Sequence, residues 1–117
     1  MSRRQTVGSF GEALAVKLLV SKGYKIIAQN FRSKFGEIDI IAMDGDVLVF
    51  VEVKTRLGRK YGKPEEAVTP MKLSRIKKTI EYFLMLTKNK MMKQRIEVVA
   101  LEFSGNYLVS SKIIKVV

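Results

Sequence analysis

The sequence predicts an α/β protein, a mixed five-stranded β-sheet flanked by helices in the order α-β-β-β-α-β-β. Three observations predict it. The segments "VGSFGEALAVKLLVSKGY" and "PMKLSRIKKTIEYFLMLTK" repeat their apolar residues at helical spacing. The runs "YKIIAQNF", "GEIDIIAM", "DVLVFVEVK", "RIEVVALEF" and "YLVSSKIIKVV" are rich in β-branched residues and bounded by turn residues. The length of 117 residues provides one hydrophobic core and not two, so residues 1–117 form a single domain.

Each element has its own justification. In the first helix Ser9 is the expected N-cap, and Gly23 is the expected C-cap because glycine accepts the left-handed conformation there. The second and third strands are joined at Asp44-Gly45, a dipeptide suited to a two-residue hairpin loop. "TRLGRKYGKPEEAV" follows as a glycine-punctuated basic loop. Thr69 is the expected N-cap and Pro70 the first position of the second helix, whose inward face is Ile76, Ile80, Phe83, Leu84 and Thr87. A basic connector, "NKMMKQ", leads to the last two strands, which turn at Ser104, Gly105 and Asn106. The chain shows no internal repeat or low-complexity tract.

Composition narrows the chemistry. Without cysteine there is neither a disulfide nor a zinc-thiolate site, and without histidine there is no Ser-His-Asp triad. The 22 Lys and Arg against 11 Asp and Glu give a formal charge of +11, which favours polyanionic partners, nucleic acid ahead of a membrane surface. No apolar run is long enough for a membrane span or a secretory leader, so a soluble, cytoplasmic protein without a membrane partner is expected.

Four charges interrupt the central hairpin. Side chains alternate along a strand, so Glu37, Asp39 and Ile41 share one face while Ile38, Ile40 and Ala42 share the other. On the next strand Leu48, Phe50, Glu52 and Lys54 share a face, and Val47, Val49, Val51 and Val53 form the core side. With Asp44 and Gly45 as the loop, Asp39 comes opposite Phe50 and Glu37 opposite Glu52, on one face. Asp39 and Glu52 are then diagonal neighbours about 7–8 Å apart at the backbone, close enough to share a cation. Oxygen donors in a chain without His or Cys suit Mg²⁺ or Mn²⁺. A solvated face with cross-strand ion pairs is the competing explanation, opposed by the apolar Ile41 and Phe50 beside the charges. A bulged three-residue turn would carry Asp39 to the other face.

Glu12 has two readings as well. It lies in a helical stripe with Val16, Leu19 and Val20, which aims it inward as a third acid; it also completes a capping box with Ser9.

The inward helical Glu12, then Asp39, then Glu52-Val53-Lys54 resemble the PD-(D/E)XK nuclease superfamily, and within it the archaeal Holliday-junction resolvases. The motifs "GxxGEALAxxxLxxKGY", "GEIDIIAxDGDxLVFVEVKTR", "GKPEEAVTPxK" and "EVVAL" resemble, over nearly the whole chain, the YraN-like family of uncharacterised bacterial proteins, described by similarity as predicted endonucleases. Two positions depart from the pattern. Ile38 precedes Asp39 where the superfamily's proline would stand, and Glu97 occupies a place where relatives are expected to carry Asp.

The resemblance implies a restriction-endonuclease-like core and a catalytic set of Glu12, Asp39, Glu52 and Lys54. Asp39, Glu52 and the Val53 carbonyl would hold Mg²⁺ or Mn²⁺, and Lys54 would orient water or stabilise phosphate charge. Arg56, Arg59, Lys60, Tyr61 and Lys63 on the basic loop are candidate nucleic-acid contacts, extended by Lys72, Arg75 and Lys78 on the second helix. Glu37 is an additional acid without an assigned role. The implied activity is metal-dependent, structure-selective cleavage of DNA, branched DNA included. A non-catalytic nucleic-acid-binding module of the same fold is the alternative. A homodimer would match the two symmetric strands of a four-way junction.

Overall fold

The computed structural model describes residues 7–58, 68–88 and 92–117. Its elements run α1 (Val7–Ser21), β1 (Lys25–Ser33), β2 (Gly36–Asp44), β3 (Val47–Leu57), α2 (Pro70–Thr87), β4 (Lys93–Ser104) and β5 (Tyr107–Lys115), in the expected order. The five strands form one sheet in the order β1-β2-β3-β4-β5. The first three make an antiparallel meander, and β5 is antiparallel to β4. Strands β3 and β4 are parallel. Parallel neighbours require a crossover, which α2 provides.

The two helices pack on opposite faces of the sheet. Ala15 and Leu19 of α1 pack with Ile40, Ala42, Val49, Val51, Val99, Leu101 and Phe103, so the valine face of β3 is core, as expected. On the other face Ile76, Ile80, Phe83 and Leu84 of α2 pack with Ile41, Leu48, Phe50 and Ile96. The Phe50 and Phe83 rings meet edge to face at 5.8 Å. Truncating a buried ring such as Phe50 to alanine costs about 3–5 kcal/mol.

α1 approaches the sheet closely because Gly11 has no side chain. A Cβ there would lie 2.1 Å from Thr55 Oγ1. The helix ends at Gly23, φ +93°, where the Tyr24 amide donates to the Leu19 carbonyl and the Gly23 amide to the Val20 carbonyl, both at 3.0 Å. That double bond pattern is a Schellman cap. Thr69 caps α2, its hydroxyl accepting from the Lys72 amide at 3.2 Å, with Pro70 in the first turn.

Several expectations require correction. The hairpin loop is Gly45-Asp46, with Asp44 already paired to Val47. Gly45 alone has positive φ in this loop (62°), the pattern of a type II′ turn. The register therefore shifts by two residues, which leaves the paired residues Ile40–Asp44 and Val47–Val51 on their predicted faces because the strand repeat is two. Ser9 lies inside α1 and is not its cap. Val20 is exposed, and from Ser9 onward the buried positions of α1 are Gly11, Ala15 and Leu19. On α2, Thr79 is buried and Thr87 is exposed; Thr79 Oγ1 is 2.9 Å from Ser33 Oγ, which draws it to the sheet. Thr55–Leu57 continue β3 instead of opening a loop, because the ladder to β4 runs on to Leu57 and Phe103. Likewise Lys93 and Gln94 belong to β4 and not to the connector. Ile38 packs with the α2 side, away from Ile40 and Ala42. The alternation of β2 thus breaks at Asp39.

Candidate active site

That break coincides with the end of a strand pairing. The β2–β3 ladder stops at Ile40 and Val51, and Asp39 and Glu52 are the next residues on each strand. Beyond them lies a cleft of about 650 Å³. β2 contributes Gly36, Glu37 and Asp39 to its lining, β3 contributes Glu52, and α1 contributes Glu12. The first half of α2 closes it with Thr69, Met71, Lys72, Arg75 and Ile76.

The Val53 amide, freed where the ladder ends, donates to Asp39 Oδ2 at 2.7 Å. Asp39 and Glu52 line the same cleft, near enough for the charge of Glu52 to act on the Asp39 carboxyl. Burial, and next the Glu52 charge, push the Asp39 carboxyl up to about 7; the Val53 amide opposes this and Glu12 adds to it. Glu52 is only 9 % exposed, which overturns the solvated-face explanation for this residue. Its carboxylate pairs with the Lys72 ammonium.

Glu12 forms no capping box, since α1 is already helical at Ser9. With the Asn30 amide turned so that its nitrogen faces the acids, Nδ2 donates to Glu37 Oε1 at 2.9 Å and to Glu12 Oε1 at 3.1 Å. Burial chiefly, and then the Glu37 charge, raise the Glu12 carboxyl, while the Asn30 bond draws it down. Glu37 is held from its other side by Arg32, Nε to Oε2 at 3.2 Å. Asn30 was missed by sequence reasoning. Its backbone is left-handed (φ 53°), and the β1–β2 pairs skip it, running from Gln29–Ile40 to Phe31–Ile38. An asparagine in the middle of a strand-like run was the available signal, since Asn is poor in strands and tolerant of positive φ.

The structure thus brings Glu12, Asp39 and Glu52 to one cleft with Lys72 and Arg75. Lys54 is exposed and does not line it. The Val53 side chain packs toward α1. Arg56 is half-buried on β3 opposite Glu102, and Lys78 is exposed on α2, its ammonium 5.6 Å from the Phe35 ring. Arg59, Lys60, Tyr61 and Lys63 lie outside the described residues.

Among the described residues no three acids converge closely enough to ligate one ion by themselves. Mg²⁺ usually needs only one or two carboxylates, the rest of its octahedron being water. Asp39 and Glu52 fit that demand: two hard oxygen donors side by side, whose mutual repulsion a cation would relieve.

The fold and site define a class, an α/β domain with an acidic, lysine-faced cleft where two antiparallel strands part. Among known proteins, residues 11–101 match the uncharacterised protein family UPF0102, and the chain belongs to that family. The matched region includes every cleft residue named above. A UPF0102 protein of Symbiobacterium thermophilum is 50% identical over 102 residues, covering 87% of this chain and 85% of its own. One from Caldicellulosiruptor saccharolyticus is 46% identical over 99 residues (85% and 83%), and one from Rhodococcus opacus 45% identical over 101 residues (86% of each). Among the described residues no helix is long and apolar enough to cross a membrane.

Proposed function

We propose that this chain is a metal-dependent endonuclease acting on structured DNA, with chemistry of the PD-(D/E)XK kind. One observation carries the reading: Asp39 and Glu52 converge in a cleft whose opposite wall offers Lys72 and Arg75. Clustered acids repel phosphate, so a surface used only for binding gains nothing from them.

Asp39, Glu52 and the Val53 carbonyl would hold Mg²⁺ or Mn²⁺. When bound, the ion supplies Lewis-acid neutralisation of phosphate charge and lowers the pKa of a water. The Val53 amide fixes Asp39 in place. Asn30 fixes Glu12, whose carboxylate offers the attacking water a hydrogen-bond acceptor. Lys72 and Arg75 offer charge to the non-bridging oxygens of the phosphate, where negative charge grows in the transition state. Lys54 and Arg56 on β3, together with Arg59, Lys60, Tyr61 and Lys63, are the proposed contacts to the rest of the nucleic-acid strand. The formal charge of +11 draws the polyanion in. A homodimer would present two such clefts to a four-way junction.

The Lys72–Glu52 ion pair favours a second reading, a binding module that neutralises its own acids. Cleavage assays separate the two. Linear, flapped and four-way-junction DNA are incubated with Mg²⁺, Mn²⁺ or EDTA. The endonuclease cuts in either ion, and EDTA or Asp39→Asn abolishes cutting while binding persists. Tight binding with no metal-dependent product leaves the binding module. Equal cutting by wild type and Asp39→Asn reveals a contaminant.

A further inference from the structure

Helix N-termini favour acidic side chains, because their unsatisfied amides carry partial positive charge. α2 does the reverse. Its first turn contains no acid, and Lys72 stands at its third position with its amide held by Thr69 Oγ1 at 3.2 Å. A lysine there is locally unfavourable, and departures from local preference concentrate at functional sites. The ammonium reaches across the cleft to Glu52, whose side chain is 10 % exposed, while the Lys72 side chain itself stays 41 % exposed. The backbone of Lys72 is therefore anchored, and its four-carbon stem retains room to swing. Lys54, on the same strand as Glu52, is exposed and outside the lining.

We propose that Lys72, and not Lys54, is the working ammonium of this cleft. Lys72 neutralises Glu52 in the free protein, competes with a divalent cation for that carboxylate, and on losing it carries its charge to the scissile phosphate. The phosphate role rests on the endonuclease reading above; the competition for Glu52 does not.

Two like charges a few ångströms apart repel, so Lys72 must weaken cation binding as long as it remains on Glu52. Released, it is repelled from an occupied site, and phosphate oxygens are the nearest new partners for a swinging ammonium. Lys72 thus maintains charge balance in three states: with no ion, with ion, and with ion and phosphate. No bond to Lys72 is made or broken in this exchange.

Calorimetric titration of Mn²⁺ into the full chain at neutral pH tests the competition directly. Lys72→Gln, which removes the competing charge, binds Mn²⁺ about tenfold more tightly than wild type. Lys72→Arg retains the charge and stays within about threefold of wild type. An affinity in Lys72→Gln equal to or weaker than wild type overturns the proposal. If Lys72→Gln fails to fold, Lys72→Met repeats the test with the stem preserved. On a cleavable DNA at saturating Mn²⁺, Lys72→Gln cuts about a hundredfold more slowly, a larger loss than Lys54→Ala produces. Cutting by Lys72→Gln at the wild-type rate overturns the phosphate role. Absence of cutting by wild type itself sinks the endonuclease reading and the phosphate role with it, while the titration still decides the competition for Glu52.

Discussion

The Val53 amide donates to Asp39 Oδ2 at 2.7 Å, across the point where the β2–β3 ladder ends. A main-chain donor that would otherwise lack a strand partner holds an acid beside a second acid. The cleft chemistry follows from that arrangement, and the first consequence is a dependence on pH.

With the Asp39 carboxyl raised to about 7 from an ordinary 3.8, the folded state holds its proton over a range where the unfolded state has released it. Stability from this group is therefore greatest below about pH 4 and falls as pH rises toward 7. In EDTA, Asp39→Asn removes that loss and keeps an acceptor for the Val53 amide. Its Tm at pH 8 exceeds wild type by several degrees, and the difference shrinks toward zero by pH 4. Melts across this range check the sign; a lower Tm for the variant at pH 8 contradicts it.

Gly11 allows α1 to approach Thr55. Gly11→Ala places a Cβ against Thr55 Oγ1 and costs about 1–3 kcal/mol by overpacking. Adding Thr55→Ala removes the clashing oxygen and restores most of the loss. Urea denaturation of the two single variants and the double variant measures the coupling. Additive effects would mean that the helix does not rest on Thr55.

Asn30 combines a left-handed backbone with two bonds to acids. Asn30→Gly relieves the backbone but releases Glu12 and Glu37 to repel each other. Asn30→Ala loses the bonds and also costs about 1–2 kcal/mol for positive φ. The expected order of stability at pH 8 is wild type, then Gly, then Ala, with the loss reduced by acid as Glu12 takes up a proton. Thermal melts at pH 8 and pH 4 check both order and direction.

If the proposed nucleic-acid binding holds, DNA affinity is expected to fall steeply with salt through counterion release. Replacing Arg56, Arg59 and Lys60 together with alanine flattens the slope of log K against log[salt] by about 0.9 for each phosphate that the triple variant no longer neutralises. Titrations at four or more salt concentrations determine it. An unchanged slope would place the phosphate-binding surface elsewhere.

Much of this architecture is legible in the sequence. The valines from Val47 to Val53 announce a buried strand face, and Thr69-Pro70 marks the start of α2, because period and capping are local properties. Pattern alone puts the hairpin register two residues off, since Asp44-Gly45 and Gly45-Asp46 both make acceptable turns. Asp39 and Glu52 still meet because an even shift preserves the face. For Asn30 the local pattern offers only the hint of a strand break with positive φ; its place beside Glu12 depends on the docking of α1, which no local pattern contains. Strand alternation favours Lys54 over Lys72 by placing Lys54 beside Glu52, whereas the cleft lining is decided by where α2 docks.

An anomalous diffraction map from crystals soaked in Mn²⁺ decides whether Asp39 and Glu52 share a cation. One strong peak is expected where β2 and β3 part, about 2.1–2.3 Å from oxygens of both Asp39 and Glu52, and it disappears in Asp39→Asn crystals. A map with no peak there at saturating Mn²⁺, or with the peak unchanged in Asp39→Asn, contradicts a shared cation.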